Sequence, residues 1–320
     1  PLPTKTPYRL TLPLVARRNV NAVIKRLSIV HAHSPFVTGW TALRYARRYR
    51  IPMVYTYHTQ LEEYAHYVPF EQNATRYAAS QLTRTFANLV DAVVVPTESM
   101  ARRLRELGVR TRVEVVPSSI DVARFAAGRR SDAVRASAGA APQDRLLLCV
   151  ARLGREKNVE VLLEAVAASG DPSLRLVVAG DGPDRERLEA RTAELGIASR
   201  VKFLGAQPRE MLPDLYASSD AFCMPSTTET QGLVLAEALA AGAALIVSDV
   251  PQSRDVLRDL ATYVTPTAAG FVAAFRAVRP DAAATAQRRT SSRADSFTID
   301  RQVGRMVRLY RELGICTRIA

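Results

Sequence analysis

The sequence predicts an α/β protein made of two Rossmann-like domains in tandem, and three observations predict it. Short β-branched runs alternate with longer amphipathic ones from Ser28 onward, the pattern of parallel strands joined by helical crossovers. The rhythm breaks once, at Pro117-Ser-Ser-Ile-Asp121 and a polar, alanine-rich stretch running to Asp144 with Gly128, Gly139 and Pro142, and then restarts. A chain of 320 residues is also more than one such core usually organises.

In the first half, residues 28–33, 52–57, 91–95 and 112–116 read as buried strands. Helices fall between them at 36–49, 71–88 and 98–107, the last stopped by Gly108, which takes a left-handed C-cap at little cost. In the second half, strands at 146–151, 174–179, 201–204, 221–224 and 244–247 alternate with helices at 159–168, 184–195, 208–217 and 232–241. A last amphipathic helix, 299–313, closes the chain. The expected divisions are a first domain over 1–125, a second over 126–295 and a terminal helical segment over 296–320.

Composition excludes several classes. With 48% hydrophobic and 23% charged residues the chain is too apolar to be disordered. No apolar run reaches the roughly 18–20 residues of a membrane span, and the candidate at 238–247 is short and contains Gly242. Three cysteines, Cys149, Cys223 and Cys316, lie far apart, two of them in apolar strand-like runs. That pattern suits buried thiols in a reducing cytoplasm better than a disulfide framework. The chain opens at Pro1 with a proline-spaced segment, 1–13, and shows no secretory leader pattern; the start of the first domain is expected to be missing.

Charge is uneven. Residues 1–125 hold 18 Lys and Arg against 8 Asp and Glu, whereas 126–320 hold 26 against 23. The first 50 residues carry ten basic side chains, among them Arg17, Arg18, Lys25, Arg26, Arg47, Arg48 and Arg50, and no acidic one. An anionic partner is expected on that face: lipid headgroups, a phosphorylated substrate or nucleic acid. The preference for Arg, 40 against 4 Lys, would follow from an arginine-rich proteome, but the missing acids would not.

The strongest constellation is Pro225-Ser-Thr-Thr-Glu229-Thr-Gln-Gly232-Leu233-Val234-Leu-Ala-Glu237. It follows a buried strand and opens a helix, so it stands at the carboxyl edge of a parallel sheet, where open α/β folds bind ligands. Gly232 admits close backbone approach, and the N–H groups of Gly232, Leu233 and Val234 form an anion site at the helix start. Glu229 and Glu237 flank it. Carboxylate pairs at this spacing are common by chance among 31 acids; the strand, loop, glycine and helix around them are not.

On the same edge, Ala151-Arg152-Leu-Gly-Arg-Glu-Lys157-Asn158 supplies a guanidinium fork and an ammonium point charge, both suited to a diphosphate. Val177-Val-Ala-Gly180-Asp-Gly182-Pro183 is a strand followed by a glycine turn, without the full dinucleotide fingerprint, and reads as pocket lining. All four histidines precede residue 67: His31, His33, His58 and His66. His58, ending the second strand, is the best placed to face a ligand. Of His31 and His33, one is expected to turn into the core. Metal binding is not expected, because the histidines lack cysteine partners and a His-x-x-x-His pair.

Taken in order, these motifs resemble the retaining nucleotide-sugar glycosyltransferases of family four, which have the GT-B fold: two Rossmann-like domains facing a cleft. The resemblance rests on His31-Ala-His33-Ser-Pro-Phe, Tyr-Thr-Tyr-His58-Thr, Val93-Val-Val-Pro96-Thr-Glu98-Ser, Val116-Pro-Ser-Ser-Ile-Asp121, Ala151-Arg152-Leu with Lys157-Asn158, Gly180-Asp-Gly-Pro, Phe203-Leu-Gly205 and the segment from Glu229 to Glu237. It implies an acceptor-side first domain, a nucleotide-sugar-binding second domain and a last helix crossing back to the first. It assigns Arg152 and Lys157 to the diphosphate, Glu237 to the ribose, Glu229 to the transferred sugar and His58 to a sugar hydroxyl or phosphate, with Gly180, Gly205, Gly232, Leu233 and Val234 lining the donor site. Tyr57-His58-Thr59 running through Glu62-Glu63-Tyr64 to His66-Tyr67, and Glu229-Thr-Gln231-Gly232, further resemble bacterial diacylglycerol glucosyltransferases.

The resemblance implies hexose transfer from UDP-glucose to a lipid hydroxyl. No cofactor, metal or nucleic acid is implied, and the protein is expected peripheral on the cytoplasmic face of an anionic membrane. Departures from the family are the first strand, glycine-rich loop and helix, which nothing before Tyr8 supplies, Ser119 where glycine is common, and a shortened segment from Arg258 to Arg279. They leave open a truncated or degenerate nucleotide-sugar-binding protein without catalysis, or a member using GDP-mannose and a non-lipid acceptor. A basic nucleic-acid-binding α/β protein is the third reading, on charge alone.

Overall fold

A computed structural model describes residues 22–67, 70–279 and 292–319, and divides the chain into two compact units, 1–117 with 302–320, and 118–301. The expectations for 1–13, for Arg17 and Arg18 and for the side chains of His66 and Cys316 lie outside the described residues.

The first unit holds a parallel sheet in the order β1-β2-β3-β4: Val30–Ala32, Met53–Thr56, Ala92–Val95 and Arg112–Val115. Helices α1 (Val37–Tyr49), α2 (Gln72–Ala87) and α3 (Glu98–Glu106) connect the strands, with a 3-10 turn at Leu61–Tyr67 that the sequence did not announce. Strand periodicity sorts β2 onto two cores. Met53 and Tyr55 pack with Leu43, Phe86, Met100 and Leu104 on one face. Val54 meets Leu309 of the C-terminal helix (Ile299–Ile319) on the other. The helix starts are conventional: Thr97 accepts from the Met100 N–H, and the Glu71 carboxylate takes the N–H groups of Asn73 and Ala74, which hold its pKa below the ordinary range.

The second unit is built on a six-stranded parallel sheet in the order β10-β9-β8-β5-β6-β7. Its strands are β5 (Arg145–Val150), β6 (Leu174–Ala179), β7 (Val201–Gly205), β8 (Ala221–Met224), β9 (Leu245–Ser248) and β10 (Thr262–Val264). Helices α4 (Val122–Ala126), α5 (Asp132–Ser137), α6 (Glu160–Ser169), α7 (Arg185–Glu194), α8 (Leu212–Ser218), α9 (Leu233–Ala240), α10 (Pro251–Leu257) and α11 (Ala268–Phe275) cover its faces. Leu146 and Leu148 of β5 enter the core on one face, Leu147 and Cys149 the core on the other. Cys149 and Cys223 are free, buried thiols whose pKa values burial pushes up.

The structure moves the expected boundary from 125 to Pro117 and places α4 and α5 in the polar, alanine-rich stretch that follows. Helices of five and six residues carry too few apolar positions to show a period. Caps reveal them instead: Asp121 accepts from the Arg124 N–H at 3.0 Å and Ser131 from the Val134 N–H at 3.4 Å. Phe125 then buries against Tyr216, with 5.9 Å between ring centroids. The segment from Arg258 to Arg279, expected to be shortened, holds two elements, β10 and α11; β10 escaped notice because it is a three-residue edge strand.

One buried ion cluster ties α5 to the second sheet. Asp220, fully buried ahead of β8, accepts from Arg135 Nη1 at 3.0 Å, Arg130 Nη1 at 3.0 Å and the Leu146 N–H at 2.7 Å. Arg135, itself buried, also donates to the carbonyls of Ser218 and Asp144. Removing one member strands the other charge in an apolar interior. Asp220→Ala is therefore expected to cost about 3–5 kcal/mol of unfolding free energy in urea titrations; a loss below about 1 kcal/mol would contradict this role for the cluster.

Candidate functional site

The second sheet switches direction at β5. From β5 the chain adds β6 and β7 on one side, then β8, β9 and β10 on the other, so the crossovers diverge and leave a crevice at the carboxyl ends of β5 and β8. Both strongest sequence motifs lie there. The loop after β5 turns through a 3-10 helix at Arg155–Lys157 and leaves it through Asn158 in the left-handed region, φ +55°, which asparagine tolerates. The loop after β8 is tied to it. Ser226 Oγ and Thr228 Oγ1 donate to the Glu156 carbonyl at 3.4 and 3.3 Å, and Lys157 Nζ donates to Glu229 Oε1 at 2.6 Å. Arg152 forms an ion pair with Glu156, whose side chain is buried while the guanidinium stays substantially exposed. The structure thus unites Arg152, Lys157 and Glu229, each cation resting against a carboxylate within one crevice.

Glycines bring the backbone close. Gly180 has φ +140° and donates its N–H to the Gly205 carbonyl at 2.8 Å; a Cβ at Gly180 would stand 1.8 Å from the Ala151 carbonyl oxygen. Only a residue without a side chain lets the ends of β5, β6 and β7 meet this way. Gly232, φ +73°, is the N-cap of α9 and offers no side chain to its first turn. That turn carries the N–H groups of Leu233 and Val234, with the Leu233 side chain exposed.

Glu237 sits deeper than its sequence role suggested. It is 6% exposed, accepts from the Tyr216 hydroxyl at 3.1 Å, and lies 3.7 Å from Arg209 Nη2. Burial raises its pKa, against the opposing pull of Tyr216 and Arg209. Neither Tyr216 nor Arg209 was recognised in the sequence, since both lie far from the motif along the chain. Gln231 was seen only as part of a motif. Its amide grips the backbone of Ser118 from both sides, accepting from the N–H at 2.8 Å and donating to the carbonyl at 3.0 Å, which anchors the site loop beside the division after Pro117.

In the first unit His31, His33 and His58 gather at the carboxyl ends of β1 and β2. One of His31 and His33 was expected in the core. Instead both take one side of the chain, with rings stacked at 4.3 Å between centroids, while Ala32 between them enters the core. Residues two apart share a strand face, so alternation separates neighbours and not these two. His58 joins them, its Nε2 lying 2.8 Å from His33 Nδ1. Burial and the neighbouring His33 lower the His58 pKa. Beyond His58 the 3-10 turn is pinned by Glu62, whose Oε1 takes two bonds from Arg103, at 2.9 and 2.6 Å. Among the described residues no group of three His, Cys, Asp or Glu is arranged to hold a metal ion.

Residues 1–124 match the sequence model described as Glycosyltransferase Family 4, and residues 131–289 match Glycosyl transferases group 1. The chain belongs to the family 4 glycosyltransferases. It is similar to the alpha-monoglucosyldiacylglycerol synthase of Streptococcus pneumoniae, 31% identical over 240 residues, 73% of this chain and 54% of that protein. The Acholeplasma laidlawii protein of the same name is 30% identical over 258 residues, 77% and 65% of the two chains. The D-inositol 3-phosphate glycosyltransferase of Nocardia farcinica is 33% identical over 260 residues, 78% and 57%. The chain thus spans only 54–65% of the length of these relatives.

Solved glycosyltransferase structures share the GT-B fold of this chain. Sucrose-phosphate synthase from Thermosynechococcus elongatus superposes with a TM-score of 0.79 at 22% identity, covering 93% of this chain and 77% of its own. Anabaena Alr3699/HepE, solved in complex with UDP, gives 0.77 at 18%, covering 92% and 81%.

The burial of Glu237 predicts a stability cost at neutral pH. A carboxyl whose folded pKa is raised holds its proton longer in the folded than in the unfolded state, so its ionisation erodes stability as pH rises above the ordinary value of 4.5. Glu237→Gln, which keeps an acceptor for Tyr216, is expected to raise the urea midpoint at pH 7, with the gain shrinking toward pH 4.5. A midpoint lowered at pH 7 would show that the carboxylate contributes net stability instead.

Proposed function

We propose that this protein transfers a hexose from a nucleoside diphosphate sugar, UDP-glucose in the first instance, to the hydroxyl of a lipid acceptor such as diacylglycerol. The observation that carries the proposal is the crevice at the switch point, where Arg152, Lys157, Glu229 and the N-terminus of α9 converge on the ends of β5 and β8. Such a site offers a fork, a point charge and backbone N–H groups to a diphosphate, whose negative charge grows as the glycosidic bond breaks. These groups supply the stabilisation that a metal supplies elsewhere. Glu229, held by Lys157, is assigned to the transferred sugar, and Glu237 to the ribose. The anomeric configuration is retained if the diphosphate oxygen itself takes the acceptor proton on the face it leaves, and that is the mechanism proposed.

The lipid acceptor is supported by the names of two relatives and by the surface of α1. That helix and its N-cap expose Trp40 and Phe36, four residues apart, with Arg44, Arg47 and Arg48 following. Aromatic rings beside cations suit the interface of an anionic bilayer. No described helix is long and apolar enough to cross a membrane. A peripheral protein on the cytoplasmic leaflet fits these features. The Nocardia relative supports a second acceptor class, a phosphorylated polyol in solution.

Thermal shifts with UDP, GDP and ADP test the donor site. Ligand at about 100 times its Kd stabilises by roughly 2.7 kcal/mol, and the shift is expected to be largest for UDP and to vanish in Arg152→Ala. No shift with any nucleotide would sink the donor assignment. With UDP-glucose, Glu229→Ala is expected to lower turnover at least about a hundredfold while UDP still shifts the melting temperature. Equal loss of both would refute that division of labour. Trp40→Ala combined with Arg47→Ala should abolish flotation with vesicles containing phosphatidylglycerol; transfer to inositol phosphate, with none to diacylglycerol in those vesicles, would select the soluble acceptor.

A further inference from the structure

The histidines at the ends of β1 and β2 form one stacked unit. His33 lies over His31 with centroids 4.3 Å apart and over His58 with centroids 5.1 Å apart, the planes inclined by 26° and 16°. The stack has a seat. His31 Nδ1 lies 2.6 Å from the Tyr310 hydroxyl on the C-terminal helix, and His31 Nε2 lies 2.6 Å from Thr56 Oγ1 on β2. Hydroxyls donate or accept, so two of them satisfy both ring nitrogens of His31 and fix its plane. Burial, with the charges of His33 and His58 behind it, lowers the His31 pKa to about 4, in keeping with that seat.

The contact between His33 Nδ1 and His58 Nε2, 2.8 Å, requires that one nitrogen carry the hydrogen and the other accept it. Should both rings take a second proton, two N–H groups would face each other and the contact would open. We propose that His33 is a positioning residue for His58, fixing the tautomer and plane of its ring, and that Tyr310, through His31, holds His33 in place. His31, His33, Thr56 and Tyr310 are the groups that the described contacts set around this ring pair. The assignment goes beyond the contact with a sugar hydroxyl or phosphate that the family resemblance implies for His58: an effect on turnover rests on the proposed function, but the tautomer and ionisation of the ring do not.

The test is a pH titration of the imidazole signals by NMR in the 320-residue chain, for the wild type and for His33→Ala, His33→Asn and Tyr310→Phe, with kcat and KM measured alongside. His33 is exposed, so its replacement leaves the core intact. In His33→Ala the His58 midpoint is expected to rise toward 6.5, because a neighbouring charge and part of the ring's cover are removed, and its nitrogen shifts to report mixed tautomers. His33→Asn, whose amide stands near the Nδ1 position, is expected to restore the single tautomer. Tyr310→Phe is expected to act in the direction of His33→Ala with smaller size.

In an active protein, kcat should fall about tenfold or more in His33→Ala, with the acid limb of its pH profile moved to higher pH, donor KM unchanged, and recovery in His33→Asn. A His58 titration and tautomer indifferent to His33→Ala, or an unchanged kcat in an active protein, would overturn the proposal. NMR changes as expected in a chain without transferase activity would uphold the positioning role and overturn the proposed hexose transfer.

Discussion

A parallel sheet covered on both faces leaves polar chemistry at its strand ends, and this constraint organises both units. The backbone groups of β5 and β8 are consumed by their neighbours and their side chains by apolar cores above and below. Cys149 and Cys223 illustrate the consequence. Reactive in principle, they are sealed in the sheet with raised pKa values, while a few residues on, Arg152 and Glu229 emerge where the strands stop. The first unit repeats the arrangement with histidines in place of cations and carboxylates.

Polar groups that stay inside are held by geometry chosen for them. Asp220 is surrounded by two guanidinium groups and a backbone N–H, so its charge is matched where water cannot reach. Glu237 is treated otherwise: one hydroxyl and one distant guanidinium only partly offset its burial. Asp220 is thus paired as fully as the fold permits, whereas Glu237 is left under-compensated.

Much of this was legible from the chain. The strands of both sheets, β10 excepted, announced themselves as β-branched runs, and the main connecting helices by amphipathic period. Glycine positions were informative for the same reason that they are needed, since Gly180 and Gly232 adopt backbone conformations that other residues avoid. What escaped were elements too short for a period, such as α4, α5 and β10, whose existence depends on caps and distant partners such as Tyr216 for Phe125. The histidine pair was misread by applying strand alternation to residues two apart.

Sequence alone determined which residues reach the strand ends, because that follows from local period and turn chemistry. The family, the two-sheet plan and the candidate residues Arg152, Lys157, Glu229 and His58 were all accessible at that level. Tertiary structure decided who meets whom. Lys157 and Glu229 are 72 positions apart and share a hydrogen bond because β8 inserts beside β5 and not beside β7. Tyr310 reaches His31 across 279 positions because the last helix returns to cover the first sheet. Such pairings depend on strand order, and no local preference along the chain encodes it.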